Sequence, residues 1–164
     1  MNQCAPSINK IVVYADDLAR KNSEALSFIP RPKLEAYAAN GQILTATENG
    51  ELCGFLVYGM GWPQVRIYQA CIQYDARRRE HGMALVARLA EIARQRFCSD
   101  IRLWCADDLE ANAFWRDAGF DYVTQRRGGR RRGRKHNLWV LPLAVPPLLA
   151  QMGNFRPSAL GEGR

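Results

Sequence analysis

One amphipathic helix caught between two strand-like runs constrains this chain more than any other feature. Over residues 82–97 the apolar side chains Leu85, Val86, Leu89, Ile92, Ala93 and Phe97 recur every three or four positions, while Arg88, Glu91, Arg94 and Gln95 take the other face. That spacing makes a helix that buries one stripe against a sheet or another helix. Before it, residues 65–74 (VRIYQACIQY) are rich in β-branched and aromatic residues, and after it 101–105 (IRLWC) form a shorter run of the same kind, both of which read as strands. An α+β domain follows.

The remaining segments fill in around that unit. Residues 10–14 (KIVVY) read as a short strand, and 16–27 as a helix with Asp16 or Asp17 near its start. Pro30 and Pro32 break the chain before a second short helix at 34–39. Residues 42–48 and 51–60 are strand-like and are joined by Asn49-Gly50, a pair that tolerates positive φ at both positions and so predicts a hairpin. Gly61-Trp62-Pro63 marks a loop. Asp107 and Glu110 have the spacing of a capping box, opening a helix that Gly119 stops. Residues 120–124 and 137–141 read as the strands of a last hairpin. Pro142, Pro146 and Pro147 then end regular structure and 155–164 reads as a loose tail.

Composition supports one folded domain. The chain is 48% apolar and 24% charged, which excludes wholesale disorder. No apolar run approaches the roughly 20 residues of a membrane helix, and the first ten residues (MNQCAPSINK) lack the apolar core of a signal peptide. The five cysteines, Cys4, Cys53, Cys71, Cys98 and Cys105, form an odd set without a CxxC pair. They predict a reduced, cytoplasmic setting and no structural metal.

Charge is concentrated in one place. The stretch 126–135 (RRGGRRRGRK) holds seven bases, Arg126, Arg127, Arg130, Arg131, Arg132, Arg134 and Lys135, and outside it the bases and acids balance at 16 each, so the net +7 belongs to this insert. Six of the seven are arginines, whose guanidinium forks match phosphate geometry. With Trp139 and Tyr122 at its base to stack on bases, the insert predicts a polyanion partner, a nucleic acid above all. A solvated loop and an acidic protein surface are the alternatives.

The chemistry concentrates where the strand at 65–74 meets the long helix, through Asp75-Ala76-Arg77-Arg78-Arg79-Glu80-His81-Gly82-Met83-Ala84. A strand that turns into a helix exposes unpaired backbone N–H groups, which favour an anion. Gly82 and Ala84 leave the backbone open to close approach, and Arg77, Arg78 and Arg79 add positive charge. There is no GK[ST], so this is not a Walker loop. A phosphate cradle and a merely solvated turn both fit these residues.

Two motifs together point further. Residues 79–84 (REHGMA) match [Q/R]-x-x-G-x-[G/A], and 108–120 (DLEANAFWRDAGF) is similar to N-x-x-A-x-x-F-Y-x-x-x-G-F. With these motifs in this order of strands and helices, residues 42–141 resemble the GNAT superfamily of acyl-CoA-dependent N-acyltransferases. The resemblance implies a three-layer α/β/α fold over 1–142. Its central sheet would be mixed and mostly antiparallel, and splayed between the strands near 65–74 and 101–105; 143–164 would be a tail. It also implies acetyl-CoA as cosubstrate, no metal, and a pyrophosphate on the amides of Arg79, Glu80, His81, Gly82, Met83 and Ala84 with Arg77 or Arg78 as counter-charge. Pantetheine would pair with the backbone at Ile72 and Tyr74. An amine would attack the thioester directly, helped by proximity and by N–H groups that polarise the acetyl carbonyl.

This chain departs from the family pattern at two functional positions. Asp108 stands where the family has Asn, with Asn112 one helical turn on to contact pantetheine in its place. Trp115 stands where the family has a Tyr that protonates the departing thiolate, and an indole cannot supply that proton. Packing beside Phe114 is the reading for Trp115. Tyr68, Tyr74 and Tyr122 are then the candidate proton carriers, with Gln69 and Gln73 as groups that hold water. The sequence therefore predicts an N-acetyltransferase whose acceptor lies near the basic insert and is a nucleic acid or a nucleic-acid-associated protein. The alternative is an inactive module of the same fold that binds CoA or nucleic acid. Open strand edges and the apolar stretch 143–149 also fit a homodimer.

Overall fold

The computed structural model describes residues 6–77, 80–128 and 133–144. Among them run α1 (Ile8–Lys21), α2 (Arg31–Ala39), β1 (Ile43–Glu48), β2 (Glu51–Gly61), β3 (Gln64–Ile72), a 3₁₀ turn (Tyr74–Ala76), α3 (His81–Gln95), β4 (Asp100–Ala106), α4 (Ala111–Asp117), β5 (Asp121–Arg127) and β6 (Lys135–Pro142). One six-stranded sheet has the order β1-β2-β3-β4-β6-β5, with a single parallel pair, β3 with β4. α1 and α2 cover one face over Phe55, Val57 and Cys71, and α3 and α4 cover the other over Val65, Ile101, Leu103 and Trp139. The expected three-layer α/β/α arrangement is present.

The first helix departs from the sequence reading. KIVVY is not a strand but lies inside α1, where Val12, Ala15 and Leu18 are buried on one stripe and Ser7 caps the start by accepting from the Lys10 amide at 3.3 Å. Burial of an amphipathic face outweighs the β preference of two adjacent valines. Pro32 likewise sits in the first turn of α2 rather than before it, where its missing N–H costs nothing. Leu89, with no exposed surface, shows the worth of the α3 stripe, about 1.5–3 kcal/mol for one such side chain. The stripe ends before Phe97, which takes a φ of 56° and points outward, 53% exposed, while Cys98 enters the core.

The sheet comes apart in its middle. β3 pairs with β4 only from Gln64–Asp100 to Arg66–Arg102. On its other side β3 opposes Val57 with Gln69 and Tyr58 with Ile67, so Tyr68 is an extra, unopposed residue. Such a bulge bends a strand and sharpens its twist, and beyond it β3 leaves β4 behind. The last hairpin is longer than expected. β5 runs through Arg126 and Arg127 and β6 begins at Lys135, so the insert is partly strand. At the far end Leu143 is buried and its amide donates to Ser99 O at 2.8 Å, so the packed chain continues past 142. Residues 145–164 and Cys4 lie outside the described residues. Cys53, Cys71, Cys98 and Cys105 are buried free thiols. No helix among the described residues is long and apolar enough to cross a membrane.

Candidate active site

The turn from β3 into α3 is built around an open helix end. Glu80, the residue before the helix, takes φ 63° and ψ −2°, and its side chain makes no capping bond. The first backbone bond is from the Ala84 amide to Glu80 O at 2.9 Å. The amides of His81, Gly82 and Met83 have no acceptor among the described residues, and no acid lies in the first turn. An uncapped helix start of this kind attracts an anion through its partial positive charge, so the residues fit a pyrophosphate. His81 turns its ring aside to Glu48 at 3.4 Å.

Gly82 has a packing reason in addition to the one its motif suggests. A Cβ there would come within 3.0 Å of the Phe114 ring. The missing side chain makes room for α4. Arg77 does stand at this mouth. It donates to Ile72 O at 3.2 Å and to Asn22 Oδ1 at 3.4 Å, and lies 5.5 Å above the Tyr74 ring. Arg78 and Arg79 lie outside the described residues.

The strand edge facing the gap ends sooner than expected. β3 stops at Ile72, and Tyr74 sits in the 3₁₀ turn with 83% of its surface exposed, so a partner strand would pair with Ile72 but not with Tyr74. Tyr68, the bulged residue, reaches α2, where its ring lies 5.5 Å from that of Tyr37. Burial first, and then Tyr68, push the Tyr37 phenol above its usual range. Gln69 is 2% exposed; its Nε2 donates to Ser27 O, and its Oε1 is buried with no partner. Tyr68 ties α2, and Gln69 the loop before it, to the strand that borders the gap.

The second turn, from β4 into α4, is closed. The expected capping box does not form: α4 begins at Ala111, after Glu110, without a side-chain cap, and Asp107 instead accepts from Gln125 at 3.4 Å. Asn112 takes over the corner. Its amide nitrogen donates to Ala106 O at 2.7 Å and Leu109 O at 2.8 Å, and its oxygen accepts from Asn137 at 3.0 Å and Trp139 at 2.9 Å. Both donors and both lone pairs are used, which leaves its side chain nothing to offer pantetheine and makes it a brace between β4, α4 and β6. Asp108 pairs with Arg134 at 3.0 Å. Trp115 is 6% exposed, edge-on to Phe114 and Phe120, and is core packing as its sequence context predicts.

The basic hairpin divides into roles. Arg134 is largely covered, bridging Asp108 and Glu24 O at 3.1 Å, so it holds the α1–α2 loop. Arg126 lies 3.9 Å above the Trp104 ring. Arg127 and Lys135 are exposed and face each other across the hairpin. Arg130, Arg131 and Arg132 lie outside the described residues. Trp139 is 7% exposed and bonded to Asn112, with Tyr122 edge-on to it at 6.1 Å. Trp139 is therefore unable to stack on a base, and Tyr122 stands on the α4 side of the sheet. Burial, then Arg134 and Arg126, lower the His136 pKa below its ordinary value.

Sequence reasoning missed Trp104, Tyr37 and the loop carbonyl of Ser27. The strand alternation of IRLWC held the signal for Trp104, since Leu103 and Cys105 face the core and the residue between them must face away. Tyr37 and Ser27 become visible only when α2 and the loop before it are placed over β3.

Comparison with known proteins agrees with this geometry. The model of the acetyltransferase (GNAT) family matches residues 13–120. Among solved structures, the ribosomal-protein-S18-alanine N-acetyltransferase of Escherichia coli is 19% identical, covering 82% of this chain and 89% of that one, with a TM-score of 0.65. Ard1 of Thermoplasma volcanium is 16% identical over 85% and 95%, TM-score 0.74. An aminoglycoside 6'-N-acetyltransferase complexed with coenzyme A is 15% identical over 83% and 92%, TM-score 0.69. Among curated proteins no sequence match is found. A sheet parted between β3 and β4, an uncapped α3 and a family match over most of the folded residues lead to one conclusion: the chain belongs to the GNAT acetyltransferase family.

Proposed function

We propose that the protein is an acetyl-CoA-dependent N-acetyltransferase that passes the acetyl group to an amine by direct attack. The parting of β3 from β4, with the open amides of His81–Met83 at its mouth, carries this reading. Acetyl-CoA supplies the activated acyl group. Around it, the α3 amides and Arg77 hold negative charge, and the β3 edge at Ile72 gives an extended arm a backbone to pair with. The amine enters from the side of the α1–α2 loop. A carbon–nitrogen bond forms as the carbon–sulfur bond breaks, and one proton must leave the nitrogen. Tyr68 and the unpartnered Gln69 Oε1 stand on the strand beside that path and support release of the proton to water held there. The acceptor passes the basic hairpin, whose charge favours an acceptor that carries negative charge.

Two measurements test this. Acetyl-CoA at millimolar concentration raises the melting temperature, and labelled acetyl-CoA transfers its label to a primary amine. Tyr68→Phe, which keeps the ring against Tyr37, lowers kcat about tenfold to a hundredfold with little change in Tm. A protein that neither gains stability nor transfers label contradicts the proposal. The second reading, a module that binds CoA without transfer, is favoured by the buried Trp115 at the position of the usual acid. Stabilisation without transfer to any amine selects it.

A further inference from the structure

The face of the sheet that carries α1 and α2 continues past them onto β4, β6 and β5. Leu103 and Cys105 point into the core beneath α3 and α4, so Arg102 and Trp104 point to the opposite face. In register across the sheet lie Leu138 opposite Trp104 on β6 and Arg126 opposite His136 on β5. Two of the arginines here are already neutralised, Arg102 by Asp100 and Arg134 by Asp108. Arg126 has no carboxylate partner among the described residues. Its guanidinium carbon lies 3.9 Å from the centre of the Trp104 ring, a cation–π contact that positions the group without using its N–H fork on an acceptor. Arg127 and Lys135 pair one residue further on and so face the other way.

The position of this pair relative to the gap is informative. β3 and β4 are last paired at Arg66 and Arg102, and Trp104 is two residues beyond, on the strand that forms one wall of the opening. Two residues of strand span ~6.6 Å. An anion on Arg126 would therefore lie one or two residues of extended chain from an amine at the gap. A nucleic acid fits this position less well, because one face of the Trp104 ring is covered by Arg126.

Resting on the acetyl-transfer reading, we infer that Arg126, positioned by Trp104, selects acceptors whose amine is followed closely by a carboxylate: peptide N-termini with Asp or Glu in the next one or two positions. The guanidinium fork takes the carboxylate while the terminal amine lies over the gap. A polycationic amine is disfavoured by the same group.

The test uses the full chain with acetyl-CoA and short peptides differing only at the second residue, Asp, Ala or Lys. The Asp peptide is expected to exceed the Ala peptide about tenfold in kcat/KM and the Lys peptide by more. Arg126→Ala erases the preference, Arg126→Glu reverses it toward Lys, and Trp104→Leu weakens it by raising KM with kcat unchanged. Equal turnover of the three peptides, or a preference that survives Arg126→Ala, overturns the inference. So does a single-stranded oligonucleotide that displaces the Asp peptide only when Arg126 is present. If no amine is acetylated, the enzymatic reading fails separately, and binding of the same peptides to the CoA-saturated protein decides this one by the same ratios.

Discussion

Two strand-to-helix turns lie side by side in this molecule, and they are finished in opposite ways. The turn from β3 into α3 leaves three amides open behind a left-handed Glu80. The turn from β4 into α4 is tied shut by Asn112, which meets four partners, and by the Arg134–Asp108 pair. Both belong to family motifs. Only the first has the electrostatics of a ligand site; the second holds the walls of the gap in place. The lesson is that a motif residue with every donor and acceptor already bonded within the fold is a brace, whatever its relatives suggest.

Breaking the closed turn has the largest expected effect. Asn112→Ala leaves the Trp139 and Asn137 side-chain N–H groups without their acceptor and takes one of two bonds from each of the Ala106 and Leu109 carbonyls, which costs about 3 kcal/mol, or roughly 10 °C in Tm for a chain of this size. Acetyl-CoA affinity of the folded protein changes far less, and isothermal titration below the melting range checks it. Gly82→Val tests where the two turns touch. Its side chain drives Phe114 away, at about 2 kcal/mol of overpacking, and weakens acetyl-CoA binding as well because α3 is displaced. Met83→Glu separates the two properties by sign. An acid at the third helical position raises stability by about 0.5 kcal/mol yet lowers acetyl-CoA affinity about tenfold, an effect that added salt reduces. The smallest effect concerns Cys105, next to the closed turn. Burial raises its thiol to about 11, so at pH 8 about one molecule in a thousand carries the thiolate, and iodoacetamide should label it only on unfolding.

The open turn was legible in the sequence because backbone amides at a strand-to-helix junction follow from the order of elements alone. The sheet, the hairpin at Asn49-Gly50 and α3 were legible for the same reason, since each rests on local periodicity or turn chemistry. The closed turn was not. Asn112 meets Asn137 and Trp139 across 25 and 27 positions of chain, and no local pattern announces such a meeting. Nor does one announce that Gly82 faces Phe114. α1 is not legible locally, because KIVVY satisfies a strand pattern, whereas the stripe that makes it a helix extends to Leu18. The bulge at Tyr68, which opens the gap, depends on the register with β2 and has no signature in β3 itself.

The most direct test of the contrast between the turns is an amide NMR titration of the protein with coenzyme A. The backbone N–H resonances of His81, Gly82 and Met83 are predicted to shift strongly downfield on saturation while the side-chain amide of Asn112 stays in place. Unmoved α3 amides with a displaced Asn112 signal would contradict the assignment of the two turns.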